Sequence, residues 1–217
     1  MNSKNYEVIW REKLAQEKWT TPDPDILTLL ETLRQENVKR ILDVGFGLGR
    51  HLVLFAKEGF DTYGIELSKS GFEYCVKWLE VEGLKADIQI GNMTTLLYEN
   101  DFFDFAIAYN VIYHGTFIQM KKALEEIHKV LRHGGLAYIT LYSVRNLNYG
   151  LGTEIEPNTF LNPKKQDGDL PHHFSDEKEV RSLFESWKMV SIKETEQTLS
   201  GKIYKDTYHW MILIIKR

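Results

Sequence analysis

The chain has 217 residues, of which 43% are hydrophobic and 27% are charged, the composition of a globular domain large enough to bury a three-layer core. Its 27 Lys and Arg residues are outnumbered by 31 Asp and Glu residues, which gives a formal charge of −4. Nucleic-acid-binding surfaces usually show as an excess or a block of basic residues. Neither is present, so the sequence argues against a nucleic-acid partner.

Cysteine content and hydropathy indicate the compartment. Cys75 is the only cysteine, so no internal disulfide can form, as is usual in a reducing compartment. The first residues contain no apolar stretch of signal-peptide length, and the longest apolar run, residues 210–215, is too short to cross a bilayer. We expect a cytoplasmic protein with no membrane partner. The seven histidines form no HxxxH pair and no Cys/His cluster, so no metal site is expected.

The first 37 residues are predicted to form a helical cap. Apolar side chains recur at helical spacing at Tyr6, Ile9, Trp10 and Leu14. A second helix is predicted to begin at Asp23-Pro24, because aspartate is a good N-cap and proline suits the first helical position. The alternative is that the N-terminal aromatic residues only pack this helix onto the rest of the domain.

From residue 40 to residue 142 strands and helices alternate. Five strands are predicted, at residues 40–46, 61–67, 86–90, 103–109 and 136–142. The segments between several of them carry apolar residues at helical spacing, most clearly residues 49–57, 72–83 and 117–131. This alternation is typical of a mainly parallel sheet that is covered by helices on both faces.

The last third of the chain has a different pattern. Residues 144–174 form a long connection, and connections of this length are often lids. Ser175 is predicted to cap a short helix, after which residues 188–195 and 207–215 read as the two strands of a hairpin with its turn near residues 200–201. We therefore predict one α/β domain over residues 1–217, doubly wound around a mainly parallel seven-stranded sheet that ends in a C-terminal antiparallel hairpin.

The stretch ILDVGFGLGRH, residues 41–51, points to a ligand site. Gly45, Gly47 and Gly49 follow the first strand, where glycine permits positive φ and lets a ligand lie against the main chain. The helix that follows offers free N–H groups. Glu66 ends the second strand, where a carboxylate can accept hydrogen bonds from a ribose diol. Together these features predict a nucleoside-type cofactor.

The spacing of these glycines, with Asp43 two residues before them, resembles the first motif of class I S-adenosylmethionine-dependent methyltransferases. The likeness spans roughly residues 38–143 and implies a Rossmann-like methyltransferase fold with S-adenosylmethionine as cofactor. It further implies that the glycine loop lines the methionine part of the cofactor and that Glu66 holds its ribose. A narrower likeness is to small bacterial methyltransferases of the tellurite-resistance type.

Two later segments extend the resemblance. Gly91-Asn92-Met93 stands where these enzymes commonly have Gly-Asp-Met, which implies that the Asn92 amide oxygen accepts from the adenine amino group. Met93 would pack against the purine. The main chain near Asn110, after the fourth strand, would meet the methionine end.

Candidate catalytic residues follow from the chemistry of methyl transfer. A sulfonium methyl group is already electrophilic, so alignment and exclusion of water matter most, and a base is needed only if the acceptor must lose a proton. We select Tyr113 and His114, just past the fourth strand, and His173 from the adjacent pair His172-His173 in the predicted lid. The alternative is that these histidines are loop residues that bond to the backbone.

The acceptor is predicted to be a small molecule. Enzymes that methylate amino groups of bases or of glutamine typically carry Asn/Asp-Pro-Pro-aromatic after the fourth strand, and here Asn110-Val111-Ile112-Tyr113 lacks both prolines. Two other functions stay open. One is a non-catalytic S-adenosylmethionine-binding module, and the other, disfavoured by the glycine spacing, is a nicotinamide-dependent oxidoreductase.

Overall fold

A computed structural model describes residues 7, 10, 19–162, 170–199 and 202–217. Most of the predicted N-terminal helix, including Tyr6, and the predicted hairpin turn at residues 200–201 lie outside the described residues.

Ten strands form the sheet system of the described chain. They are β1 (Arg40–Val44), β2 (Asp61–Glu66), β3 (Asp87–Ile90), β4 (Phe103–Ala108), β5 (Leu131–Ser143), β6 (Thr153–Glu156), β7 (Thr159–Leu161), β8 (Pro171–Ser175), β9 (Trp187–Leu199) and β10 (Lys202–Lys216). The order across the sheet is β3-β2-β1-β4-β5, with β10 and then β9 added beside β5. Strands β1 to β5 are parallel, and β10 is antiparallel to both of its neighbours.

Five helices are described. They are α1 (Pro24–Gln35), α2 (Arg50–Lys57), α3 (Lys69–Glu82), α4 (Phe117–Val130) and α5 (Glu177–Leu183). Asp23 caps α1 by accepting the Asp25 N–H, with Pro24 in the first turn, as the sequence predicted. Thr116 and Gln119 form a capping box at the start of α4. Among the described residues, no helix combines the length and the apolar character needed to cross a membrane.

The α/β class, the parallel sheet and the antiparallel C-terminal strands are confirmed. All seven predicted strands are present, and the connection after β5 contributes three more that the sequence did not predict, β6, β7 and β8. These three strands are short, and β6 and β7 carry few apolar side chains, so the sequence pattern does not distinguish them from a loop.

Strand β8 has a position that matters for the site. Tyr142 of β5 pairs with Phe174 of β8 and also with His209 of β10, so β8 and β10 lie on opposite edges of β5. Strand β4 pairs with β5 only as far as Ile139. Strands β4 and β8 therefore pair with the same edge of β5, and β8 lies beyond the carboxyl end of β4. Ligands bind at this end of the strands in sheets of this type.

Two local predictions need correction. The N-cap of α5 is Asp176, whose side chain accepts the Glu179 N–H, whereas Ser175 ends β8. The sequence predicts that His133-Gly134-Gly135 ends the helix before β5, whereas strand β5 begins at Leu131, directly after α4, and includes these three residues. In both cases the side-chain chemistry suited a helix end and the backbone pairing of the neighbouring strand decided the outcome.

Helix α1, in the second half of the predicted N-terminal cap, contributes side chains to the core. Its buried side chains pack with residues of β1, α2 and β4 in one apolar cluster on one face of the sheet; they are Ile26, Leu29, Leu30 and Leu33. A second cluster, on the opposite face, contains the apolar side chains of α4 and α5. The sheet is therefore buried on both sides, and its carboxyl edge carries the site.

Candidate active site

The turn after β1, residues 45–49, has the positive φ angles that its three glycines permit. We call this turn the glycine corner. Gly45, Gly47 and Gly49 have φ values of +69°, +59° and +96°, which only glycine adopts readily. A Cβ on Gly45 would collide with Val111, and a Cβ on Gly49 would collide with the Sγ of Cys75. The corner is thus shaped both by backbone conformation and by close neighbours.

Glu66 connects this corner to the next strand end. Its Oε2 accepts the Gly47 N–H at 2.8 Å, and its Oε1 accepts the Ser68 N–H at 2.8 Å. The carboxylate is 6% exposed. Burial raises the pKa of Glu66, although its backbone hydrogen bonds oppose that rise. Each carboxylate oxygen has a further lone pair, so both can also accept from a ligand.

A cavity of about 530 Å³, part of it open to solvent, lies beside Glu66. Its lining residues come from the carboxyl ends of β1, β2, β3 and β4 and from the N-terminal segment; they are Trp10, Gly45, Ile65, Glu66, Leu67, Gly91, Asn92, Met93, Asn110, Val111 and His114. Six of the residues selected from the sequence therefore meet in one place.

Asn92 and Met93 differ in how well they fit their predicted roles. Met93 is 5% exposed and gives the cavity an apolar wall. The Asn92 Oδ1 already accepts the Thr94 N–H at 3.0 Å and the Thr94 hydroxyl at 2.9 Å. An amide oxygen has two lone pairs, so the predicted acceptor role of Asn92 is not available in this arrangement.

Asn110 presents a side-chain donor that has no partner among the described residues. It follows β4 with a φ of +57°, and its N–H donates to the Thr140 hydroxyl at 2.7 Å. Its Nδ2 is buried and makes no hydrogen bond with any described residue. Leaving a buried donor unpaired costs about 1–3 kcal/mol, so this group is suited to a ligand oxygen.

Asp43 and Arg50 place opposite charges beneath the glycine corner. Burial raises the pKa of Asp43 to about 7 and Glu66 adds to the rise, while the Arg50 guanidinium opposes it. Arg50, at the start of α2, is 6% exposed and lies 5.1 Å from the ring centres of both Trp19 and Tyr109. Neither Asp43 Oδ2 nor Arg50 Nη1 has a hydrogen-bond partner in the described part of the chain.

His114 pairs with His172, the histidine of the predicted lid that precedes the candidate His173. Its Nδ1 lies 3.0 Å from Nε2 of His172, and the two residues form a β-bridge. His114 lines the cavity, and His172 is 3% exposed behind it. The insertion is therefore joined to the loop after β4 through a histidine pair.

His173 lies in a different environment from the one predicted. Its Nδ1 is 2.7 Å from the Thr159 hydroxyl, and its Nε2 is 2.8 Å from Glu179. Its side chain is 1% exposed and does not line the cavity. Adjacent residues of a strand point to opposite faces, so only one of the pair can face His114. Geometry favours His172, and we do not retain His173 as a catalytic candidate.

Tyr113 packs against His114 and does not line the cavity. It is 2% exposed, and its ring stacks on Tyr142 with centres 3.8 Å apart and lies 4.5 Å from the His114 ring. The His173 N–H donates to the Tyr113 carbonyl at 3.0 Å. Tyr113 is thus held from two sides and packs against His114.

The N-terminal segment reaches the same corner at its two described positions. Trp10 lines the cavity next to Gly47. The Glu7 carboxylate accepts the N–H groups of Lys69 and Ser70 at the start of α3. Burial raises the pKa of Glu7, but these backbone hydrogen bonds outweigh it and leave the pKa lowered.

Sequence reasoning missed His172, as the partner of His114, and Arg50. The signal for Arg50 was present, because an arginine stands on the buried face of α2 directly after the third glycine. The pairing of His172 had no such signal, since it depends on the strand β8 that the pattern did not reveal.

Comparison with known proteins bears on the site. Residues 41–135, from β1 to the start of β5, match a family model described as a methyltransferase domain. The chain is 29% identical over 141 residues to a tRNA (carboxymethyluridine(34)-5-O)-methyltransferase of Arabidopsis thaliana, covering 64% of this chain and 31% of that protein. It is 25% identical over 134 residues to an uncharacterized methyltransferase, YcgJ, of Bacillus subtilis, covering 61% and 50% respectively. The chain thus spans half or less of the length of these two relatives.

The fold as a whole is also shared. A crystal structure of a SAM-dependent methyltransferase from Methanosarcina mazei superposes with a TM-score of 0.72 at 21% identity, covering 90% of this chain and 98% of that one. At this identity the likeness concerns the fold.

The glycine corner yields a stability test. We expect Gly49→Ala to cost about 2–5 kcal/mol of unfolding free energy, because about 1–2 kcal/mol of left-handed strain adds to about 1–3 kcal/mol of overpacking against Cys75. Gly59→Ala is the matched control, since Gly59 has a φ of +83° and nothing within 4 Å of the added Cβ. It should cost only the strain. Urea unfolding measures both, and equal losses would show that the contact with Cys75 does not constrain the corner.

Proposed function

We propose that this chain, which belongs to the class I S-adenosylmethionine-dependent methyltransferase superfamily, transfers a methyl group to a small molecule. The observation that carries the proposal is the meeting of Gly45, Glu66, Met93, Asn110 and His114 around one cavity at the carboxyl edge of the sheet. The groups there are an open main chain, a carboxylate, an apolar wall, an unpaired amide donor and an imidazole.

The residues fit the parts of the cofactor as follows. Glu66 would hold the ribose hydroxyls, because both of its oxygens face the corner with lone pairs to spare. Met93 would pack against the base, and the Asn110 Nδ2 would donate to an oxygen at the methionine end.

When bound, S-adenosylmethionine supplies an electrophilic methyl group on a positively charged sulfur. The protein then has to align the acceptor and exclude water. Trp10 and Val111 give the cavity apolar walls, and His114 is the lining group that can take a proton from an acceptor. His172 would act as a positioning residue by fixing the His114 tautomer.

A small acceptor fits the charge of the chain better than RNA does. The Arabidopsis relative acts on tRNA, but this chain covers only 31% of that protein and carries a formal charge of −4. Phosphate backbones are bound chiefly by lysine and arginine, and the cavity lining includes neither. The single cysteine keeps the cytoplasm as the expected compartment.

The acceptor class can be tested directly. The full chain is incubated with methyl-labelled S-adenosylmethionine and, separately, with a fraction of small metabolites and with total tRNA. We expect label in the small-molecule fraction, and much less of it with Glu66→Gln at limiting cofactor. Label in tRNA would replace the small-molecule proposal. No transfer to either pool, together with tight cofactor binding, would favour the non-catalytic binding module.

The role of Glu66 is tested by calorimetry with S-adenosylmethionine. We expect Glu66→Gln to weaken binding by tenfold or more, because a hydrogen bond to a charged group contributes about 1.5–3 kcal/mol. Glu73→Gln, an exposed change on α3, is the control and should leave the affinity unchanged. An unaltered affinity in Glu66→Gln would remove Glu66 from the proposed ribose site.

The histidine pair is tested by nitrogen NMR of the imidazole rings. If His114 is the base, its Nδ1 carries the proton and donates to His172 Nε2, which leaves its Nε2 as the basic nitrogen. We expect that tautomer in the unaltered protein and a mixture of tautomers in His172→Leu. His114→Gln assigns the signal, and the exposed His133→Gln is the control. A proton on Nε2 of His114 in the unaltered protein would contradict the assignment of His114 as base.

A further inference from the structure

A second cavity, of about 360 Å³ and partly open to solvent, lies at the same edge of the sheet. We call it the acidic cavity; its lining residues are Asp23, Asp25, Tyr109, Thr195, Glu196, His209 and Met211. Its lining includes three carboxylates and no lysine or arginine. The proposed function gives none of these carboxylates a task.

The acidic cavity is close to the cofactor cavity. Tyr109 and Asn110 are consecutive residues after β4, and the first lines the acidic cavity while the second lines the cofactor cavity. On the other side, the His209 ring is 4.8 Å from that of Tyr142 and 5.8 Å from that of Tyr113. The aromatic side chains that pack against His114 therefore reach the wall of the acidic cavity.

Asp23 is the carboxylate that points to a ligand. It is 3% exposed, and its Oδ1 accepts the Asp25 N–H at 3.2 Å. Its Oδ2, also buried, accepts no hydrogen bond from any described residue. Burial raises the pKa of Asp23, although a hydrogen bond from the Tyr109 hydroxyl and the positive charge of the Arg50 guanidinium oppose that rise. A buried carboxylate oxygen with no donor is costly, and a cation with N–H groups would relieve that cost.

The other two carboxylates each keep capacity to accept hydrogen bonds. Glu196 accepts the Asp206 N–H on Oε1 at 2.9 Å, and Asp25 accepts a long hydrogen bond from the Tyr138 hydroxyl at 3.5 Å. In the part of the chain that the structure describes, no three His, Cys, Asp or Glu side chains converge closely enough to hold a metal ion. Spread carboxylates suit an organic cation better than a bare ion, because a primary ammonium offers three directed donors.

We propose that the acidic cavity binds a primary ammonium group of the methyl acceptor, with Asp23 Oδ2 as its main partner. This assignment rests on the proposed function and narrows the acceptor to small amines. The ammonium anchors the acceptor, while the atom to be methylated lies toward His114.

Binding of n-butylammonium to the full chain, followed by NMR titration of the His209 ring and of backbone amides, tests the site. The neutral control of equal length is n-butanol. We expect n-butylammonium to shift the signals around Asp23 and His209, and n-butanol to leave them unchanged. Equal effects of the two compounds would overturn the proposal, because the cavity would then not select a charge.

Variants separate the charge of Asp23 from its structural role. Asp23→Asn keeps an N-cap for α1 and nearly the same volume, and should weaken n-butylammonium binding by tenfold or more. Asp61→Asn, an exposed change at the amino end of β2, is the matched control and should have no effect. If Asp23→Asn does not fold, Glu196→Gln replaces it with a smaller expected loss. Unchanged binding in the folded Asp23 variant would overturn the proposal.

The two proposals fail in different ways. If the labelled-methyl assay finds no acceptor, n-butylammonium binding still reports on the acidic cavity by itself. If the assay finds a neutral acceptor, the acceptor part of this inference is wrong even where n-butylammonium binds. Label confined to amines, with transfer reduced in Asp23→Asn, would support it.

Discussion

The carboxylate of Glu66 is the constraint on which the rest of the site depends. It holds the N–H groups of Gly47 and Ser68 at once, so it joins the turn after β1 to the turn after β2. These hydrogen bonds fix the turns at the carboxyl ends of two neighbouring strands relative to each other, and the cavity lies beside them. A cofactor that binds there meets a site that is already built, which reduces the ordering cost of binding.

Three buried charged side chains near this corner lack part of their hydrogen bonding. Asp43, Arg50 and Asp23 are each almost fully buried, and each retains one polar atom without a hydrogen bond to any described residue. Natural proteins bury such groups rarely, and they do so mostly where a ligand completes the set. Each of these atoms lowers the stability of the free protein, because a buried polar atom without a hydrogen bond costs free energy.

The sequence predicted what depends on local pattern. Alternating strands and helices, the Asp23 cap and the three positive-φ glycines were all readable, because each follows from side-chain spacing or backbone freedom. Strand β8 and the pairing of His172 with His114 were not, since both depend on contacts between residues far apart in the chain. Asn92 shows the converse limit, because its residue type suited a ligand while Thr94, two positions later, occupies its oxygen.

Cys75 gives the corner an internal reporter. Its Sγ lies directly under Gly49, and burial raises the pKa of the thiol to about 12, with Asp43 and Glu66 adding to the rise. Only the thiolate reacts readily with alkylating reagents, so this thiol is inert while α2 and α3 stay packed. Because Cys75 is the only cysteine in the chain, its rate of alkylation measures how often α2 and α3 separate and expose the thiol to solvent.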